Sequence, residues 1–311
     1  MSSPLIIVYV PDRGGGVSEV METICSALRD TGAEVLPARG MLDAIRLLLT
    51  SQNGILLASM EAAFLCPFAR SSVYIFHGFP MRTGQPFLRR QVLRLSQWVA
   101  YSSSKKTVAV SAFVAAHLRH ISGINVTAII HNPNPFSKLC PSPNVSKEKR
   151  ILYCGRIVDV KGVRFIVEWF QRKQLVRQGY TLDLVGEGAE DFVRSLKGEG
   201  IQLWGYVSRE KKLELFQKAE FFISLHDYEP QGLVFMEAMA AGCKIICPIS
   251  GGHIQAVAKY GAWEGIGNIK DCDELDLAFN HLRCRTTVVP PAFGFDSRTA
   301  ATRYLDLMTR L

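Results

Sequence analysis

The chain has 311 residues, of which 48% are apolar and 21% charged, with 36 Lys/Arg against 28 Asp/Glu. That balance excludes a disordered chain and leaves room for two domains of about 150 residues, each burying its own core. No run of about eighteen apolar residues exists to span a membrane as a helix, and the eight cysteines are scattered without zinc-ligand spacing, as expected of reduced thiols in a cytosolic protein.

In chain order, residues 5–10 read as a buried strand, and with no charged lead before them the start is a strand and no signal peptide. Gly14-Gly15-Gly16 follow and open a helix over 17–29. Such a loop lets a phosphate or sugar approach the backbone, although any tight strand-to-helix turn can use glycines. A second helix is predicted over 42–49, and a strand over 73–76 that ends in His77-Gly78. In parallel α/β sheets, ligand-binding loops begin at such carboxyl ends.

Residues 82–106 hold Arg82, Arg89, Arg90, Arg94, Lys105 and Lys106 and no acid. Leu88, Val92, Leu95 and Val99 recur at helical spacing among them. Two readings are open: a basic amphipathic helix for an anionic membrane or nucleic acid, or a surface helix with its stripe packed inward and its arginines solvated. The basic excess concentrates in this half, with 14 Lys/Arg and 8 Asp/Glu in residues 1–148 against 22 and 20 in 149–311.

Strands over 107–110 and 127–130 flank a helix over 111–120. The stretch 132–146, with Pro133, Pro135, Pro141 and Pro143, reads as a linker. A second alternation places strands at 150–153, 181–185, 201–203, 221–225 and 244–248. A final helix over 297–311 carries Ala300, Tyr304, Leu307 and Leu311 on one stripe. Strands alternating with helices predict an α/β protein of two Rossmann-like domains, 1–148 and 149–294, with 295–311 as a terminal helix.

The most informative segment runs Glu229-Pro230-Gln231-Gly232-Leu233-Val234-Phe235-Met236-Glu237-Ala238-Met239-Ala240-Ala241-Gly242. Glu229 lies in a Pro/Gly-punctuated loop after a strand, and Glu237 lies one turn inside the following helix. A helix starting near Gly232 directs free amides and partial positive charge at a phosphate, and carboxylates on either side can accept hydroxyl hydrogen bonds. Arg156, in Tyr153-Cys154-Gly155-Arg156, and Lys161 follow the first strand of the second alternation. Two cations there suit an anionic ligand whose charge must be neutralised, although solvated loop charges of this kind are common. Asp271-x-Asp273 opens a helix and reads as a cap.

This segment, with the Gly251-Gly252 pair after it, resembles the signature of the retaining nucleotide-sugar glycosyltransferases of family 4. The resemblance is specific over 150–260 and looser before. It implies the glycosyltransferase-B arrangement of two Rossmann-like domains around an interdomain cleft, with the terminal helix packing back on the first. It also implies that Glu229 holds the transferred sugar, Glu237 the ribose, and Arg156 and Lys161 the diphosphate. Gly232, Leu233 and Val234 then meet the phosphate, Gly205 and Tyr206 shape the base pocket with Gly186-Glu187-Gly188, and Gly15, Gly16 and His77 face the donor from the first domain.

The expected reaction is metal-independent transfer from a UDP- or GDP-sugar, a substrate and not a cofactor, to a saccharide acceptor of lipopolysaccharide, surface polysaccharide or glycolipid synthesis. The expected location is cytoplasmic, peripheral on the inner membrane face through residues 82–106, without nucleic acid. A nucleotide-sugar epimerase or phosphorylase on the same fold, or a silent interaction protein using the basic helix, are the alternatives. Three features depart from the family: His253-Ile254-Gln255 where a Glu is usual, Asn132-Pro133-Asn134-Pro135 in the first-domain landmark, and a short first domain.

Overall fold

The computed structural model describes residues 5–12, 15–51, 53–78, 87–134, 146–285 and 296–311. It contains two compact units, Met1–Ser137 with Gly294–Leu311, and Lys138–Phe293. Among the described residues, no helix is long and apolar enough to cross a membrane.

The first unit runs β1 (Ile6–Val10), α1 (Gly16–Asp30), β2 (Val35–Arg39), α2 (Gly40–Thr50), β3 (Ile55–Ser59), a 3-10 helix (Met60–Phe68), β4 (Ser71–Phe76), α3 (Phe87–Ser103), β5 (Lys106–Ala109), α4 (Ala112–Ser122) and β6 (Ala128–Ile129). Its strands form one parallel sheet in the order β2-β1-β3-β4-β5-β6. All five residues of β1 are buried, as a strand covered on both faces requires.

The second unit runs β7 (Glu148–Cys154), α5 (Val163–Arg172), β8 (Thr181–Val185), α6 (Glu190–Ser195), β9 (Ile201–Gly205), α7 (Arg209–Lys218), β10 (Ala219–Ile223), α8 (Leu233–Ala240), β11 (Lys244–Pro248), α9 (Ile254–Val257), β12 (Trp263–Ile266) and α10 (Cys272–Arg283). Its parallel sheet is ordered β12-β11-β10-β7-β8-β9. Val163, Ile166, Val167 and Phe170 bury one stripe of α5. The core gathers Trp169, Tyr180 and Phe221 around Phe279, with ring centroids 4.7–5.4 Å apart. Such ring pairs add about 1 kcal/mol each beyond area burial. Asp271 caps α10, accepting from the amides of Asp273 at 2.8 Å and Glu274 at 3.3 Å.

The last helix, α11 (Ser297–Met308), packs on α1 within the first unit. Its buried side is Ala300, Ala301, Tyr304 and Met308. The predicted stripe through Leu307 and Leu311 is therefore corrected: the helix stops at Met308 and Leu311 is exposed.

Three strands escape the sequence reading for physical reasons. β2 contains Pro37 and is tolerated because it is an edge strand, where one missing amide disrupts little. β3 is an apolar run ending in Ser59, too short for periodicity to separate from helix. β12 is an edge strand of the second sheet, with a glycine among four residues.

Candidate active site

In the second sheet the chain runs outward from β7 through β8 to β9, then returns to β10 on the other side of β7. The topological switch point therefore lies between β7 and β10, where open α/β sheets bind ligands beyond their carboxyl ends. The loop after β7 carries Arg156 and Lys161, and the loop after β10 carries Glu229.

Backbone packing holds the β7 loop. Gly155 N–H donates to Val185 O at 2.9 Å, Ile157 N–H to Glu187 O at 2.7 Å, and Gly186 N–H to Gly205 O at 2.8 Å. The loops after β7, β8 and β9 are thus laced together, with Arg156 fixed between two bonded amides. Close approach explains the glycines here. A Cβ on Gly186, where φ is +131°, would lie 1.9 Å from Gly155 O, and one on Gly188 would lie 2.0 Å from Ile157 O. Gly186→Ala is expected to destabilise the protein by roughly 2–4 kcal/mol, read by urea denaturation.

Glu229 is the hub of the switch point. Its Oε2 lies 2.7 Å from His226 Nδ1 and 3.5 Å from Lys161 Nζ. Gly162, at φ +72°, ends the Lys161 turn and abuts Leu225, whose Cβ would lie 2.8 Å from an added Cβ. Gly252 N–H donates to the Glu229 carbonyl at 2.7 Å, and Ser250 Oγ donates to Asp227 Oδ1 at 2.6 Å. The loop after β11 thereby joins the other two. Tyr228, immediately before Glu229, holds a left-handed φ of +60°, a strain of order 1 kcal/mol or more of the kind that collects at functional loops.

Gly232 starts α8 at φ +73°, and a side chain there would strike the Phe235 ring at 2.5 Å. No side chain caps this helix, so the first amides, those of Leu233 and Val234, form its positive end. His253 supports that start from below. It is fully buried, stacked on Phe235 at 4.3 Å, with Nε2 3.0 Å from Pro248 O.

Arg156 is exposed and forms no ion pair among the described residues. Glu237 differs: it is 3% exposed, and Lys212 of α7 donates to its Oε1 at 2.8 Å. Gly205, at φ +62°, and the exposed Tyr206 end β9, two strands from β7. At strand spacing that is about 10 Å across the sheet edge.

Gly15, Gly16 and His77 belong to the first unit, and Gly14 lies outside the described residues. Gly15 caps α1 at φ +98°, and a Cβ there meets nothing within 4 Å, so conformation and not crowding requires glycine. His77 follows β4, and its covered Nε2 has no hydrogen-bond partner among the described residues. Burial pushes its pKa down to about 4, so the imidazole is neutral at physiological pH.

Burial lowers His253 as well. Between the ordinary histidine value of 6.5 and about 4, the unfolded chain binds protons that the fold does not. Stability is therefore expected to fall as pH drops through that window. Denaturation midpoints at about pH 7.5 and about pH 5 check this, and His77→Gln should flatten part of the slope.

Sequence reasoning passed over His226 and Lys212. His226 precedes Glu229 by three residues in an irregular loop, where spacing carries no directional rule. Lys212 sits 25 residues before Glu237, on another helix. Only the fold makes either pair adjacent.

The architecture recurs in solved structures over the whole chain. The catalytic domain of starch synthase IV from Arabidopsis thaliana, bound to ADP and acarbose, aligns with a TM-score of 0.76 and 15% identity, covering 100% of this chain and 99% of that one. HepE of Anabaena, in complex with UDP-glucose, aligns at 0.73 and 16%, covering 99% and 100%. The chain thus has the two-sheet α/β fold of the glycosyltransferase-B proteins.

Residues 148–276, which hold the switch-point loops, match the family Glycosyl transferases group 1. Over 183 residues it is also 27% identical to glycogen synthase of Mycobacterium tuberculosis, covering 55% of this chain and 43% of that one. The chain thus spans less than half the length of that relative.

Proposed function

We propose that the chain is a retaining glycosyltransferase that moves a sugar from a UDP- or GDP-sugar to a saccharide acceptor. The observation that carries this is the convergence of Arg156, Lys161, Glu229 and the start of α8 on one sheet edge at the switch point. Arg156 and Lys161, with the Leu233 and Val234 amides, neutralise the diphosphate as its charge grows, without calling on a metal ion. Glu229, oriented by His226, accepts hydrogen bonds from the sugar hydroxyls. Glu237 takes the ribose hydroxyls while sharing Lys212, and Gly205 with Tyr206 borders the base. The neutral His77 can donate or accept one hydrogen bond, and Gly15 and Gly16 leave the first unit's backbone open to close approach by a ligand. The ADP of starch synthase IV and the UDP-glucose of HepE support a nucleoside-diphosphate donor here. The basic first half supports an acceptor on a lipid carrier or lipopolysaccharide, met from the cytoplasmic side of the membrane.

Thermal stabilisation by UDP-, GDP-, ADP- and CMP-linked sugars, without added metal and with chelator present, tests the reading. A UDP- or GDP-sugar at a hundred times its Kd should stabilise by about 2.7 kcal/mol. No response to any donor, with or without saccharide acceptors, would overturn it.

A further inference from the structure

Among the described residues, the first unit turns an unusual amount of apolar side chain to solvent, most of it on one side. Parallel crossovers are right-handed, so the direction of travel along the sheet decides the face on which a connection lies. α1 carries the chain from β1 outward to β2. α2, the 60–68 helix and α3 carry it the other way, through β3 and β4 to β5. These three therefore share the face opposite α1 and α11.

On that face α2 exposes Leu42 at 85% and Leu49 at 80%, with Ile45 between them on the same stripe. The 60–68 helix, which packs against both α2 and α3, exposes Phe64 and, at 81%, Phe68. α3 exposes Phe87, Leu88 at 74%, Val92, Leu95 and Trp98 at 61%. At 100° per residue these five fall in an arc of about 140°. The side of α3 turned inward is Ser96 and Ala100. The helix thus reverses the usual surface pattern, with small residues in and large apolar residues out. Single exposed leucines are ordinary, whereas a contiguous patch across three elements marks a contact surface.

Charge identifies the occupant. Arg90 and Arg94 flank the apolar arc of α3 on one side and Arg89 on the other, and α3 contains no acid. α2 adds Arg46, and the two acids of the face are engaged: Asp43 accepts from Arg39 N–H at 3.0 Å, and Glu61 from Tyr9 OH at 2.8 Å. Glu19, Glu22 and Asp30 lie on α1, on the opposite face. Two copies meeting through this patch would press arginine-rich faces together. An anionic bilayer complements both parts: apolar side chains enter the headgroup boundary while the arginine stems extend to the phosphates.

We infer that the whole α2, 60–68 and α3 face of the first unit is a docking surface for an anionic phospholipid membrane. It reaches beyond the basic helix, because α2 and the 60–68 helix lie outside residues 82–106. It also stands independently of glycosyl transfer, so failure of either reading leaves the other intact.

Co-sedimentation of the full chain with vesicles tests it. Vesicles of phosphatidylglycerol and phosphatidylcholine should bind at least about tenfold more tightly than pure phosphatidylcholine, and salt should weaken that binding. Leu42→Ser/Leu49→Ser and Leu88→Ser/Trp98→Ser should each weaken binding about tenfold or more with unchanged melting midpoints, since all four side chains are exposed. Full binding by the α2 variant would overturn the three-element surface. Absence of vesicle binding, together with a dimer that both variants dissociate, would overturn the membrane in favour of self-association.

Discussion

Glu229→Ala is expected to lower kcat by about 10²–10³ with little change in melting midpoint, the scale for losing one preorganised polar contact in a transition state. The fold should tolerate the change because Glu229 is only half-buried, while its loop is held by backbone bonds such as Gly252 N–H to the Glu229 carbonyl. The carboxylate also anchors Lys161 at 3.5 Å, so its removal frees a cation that the proposed diphosphate site needs in place. His226→Ala should cost less, about tenfold, because Lys161 still steadies the carboxylate from the other loop. Initial rates with the donor found by thermal shift, at saturating acceptor, decide the matter. Unchanged turnover in Glu229→Ala would remove the switch point from the reaction.

The second large effect is expected on stability. Lys212→Ala should destabilise the protein by about 3 kcal/mol, because it removes a cation bonded at 2.8 Å to the buried Glu237 carboxylate. Lys212→Met/Glu237→Leu should recover most of that loss, since an apolar pair of similar volume replaces the ion pair without stranding a charge. The double variant nevertheless loses the proposed ribose acceptor, and nucleotide affinity should fall about 10–100-fold by calorimetry. Parental affinity in the double variant would show that Glu237 serves the fold alone.

These variants probe pairings that differ in how far the sequence displays them. Glu229 and Glu237 stand out because a strand, a Pro/Gly loop and a helix of good formers follow one another at close range. Arg156 and Lys161 are visible because they follow a buried strand directly. The partners that hold the carboxylates are not visible. Lys212 is 25 residues from Glu237, and their 2.8 Å contact exists because α7 and α8 both flank β10.

Gly186 and Gly188 look like loop glycines in the sequence. Their necessity appears only where two strand-end loops meet backbone to backbone, with no room for a Cβ. α3 shows the same limit from the other side: its periodicity is plain at Leu88, Val92 and Leu95, yet these residues face solvent. Period establishes that a helix has two faces, whereas the packing against β4 and the 60–68 helix chooses Ser96 and Ala100 as the inner one.

By itself, then, the sequence determined the local matters: alternating strands and helices, two α/β halves, the loops that carry charge, and the Asp271 cap. Each depends on neighbours within a few residues, through side-chain period, turn chemistry and capping. The tertiary structure alone decided strand order, and with it the switch point between β7 and β10, the pairing of Glu229 with His226 and Lys161, and the outward turn of the α3 apolar arc. Those outcomes depend on which distant surfaces pack together, and burial energy rewards any matched apolar pair without recording its partner in the local pattern.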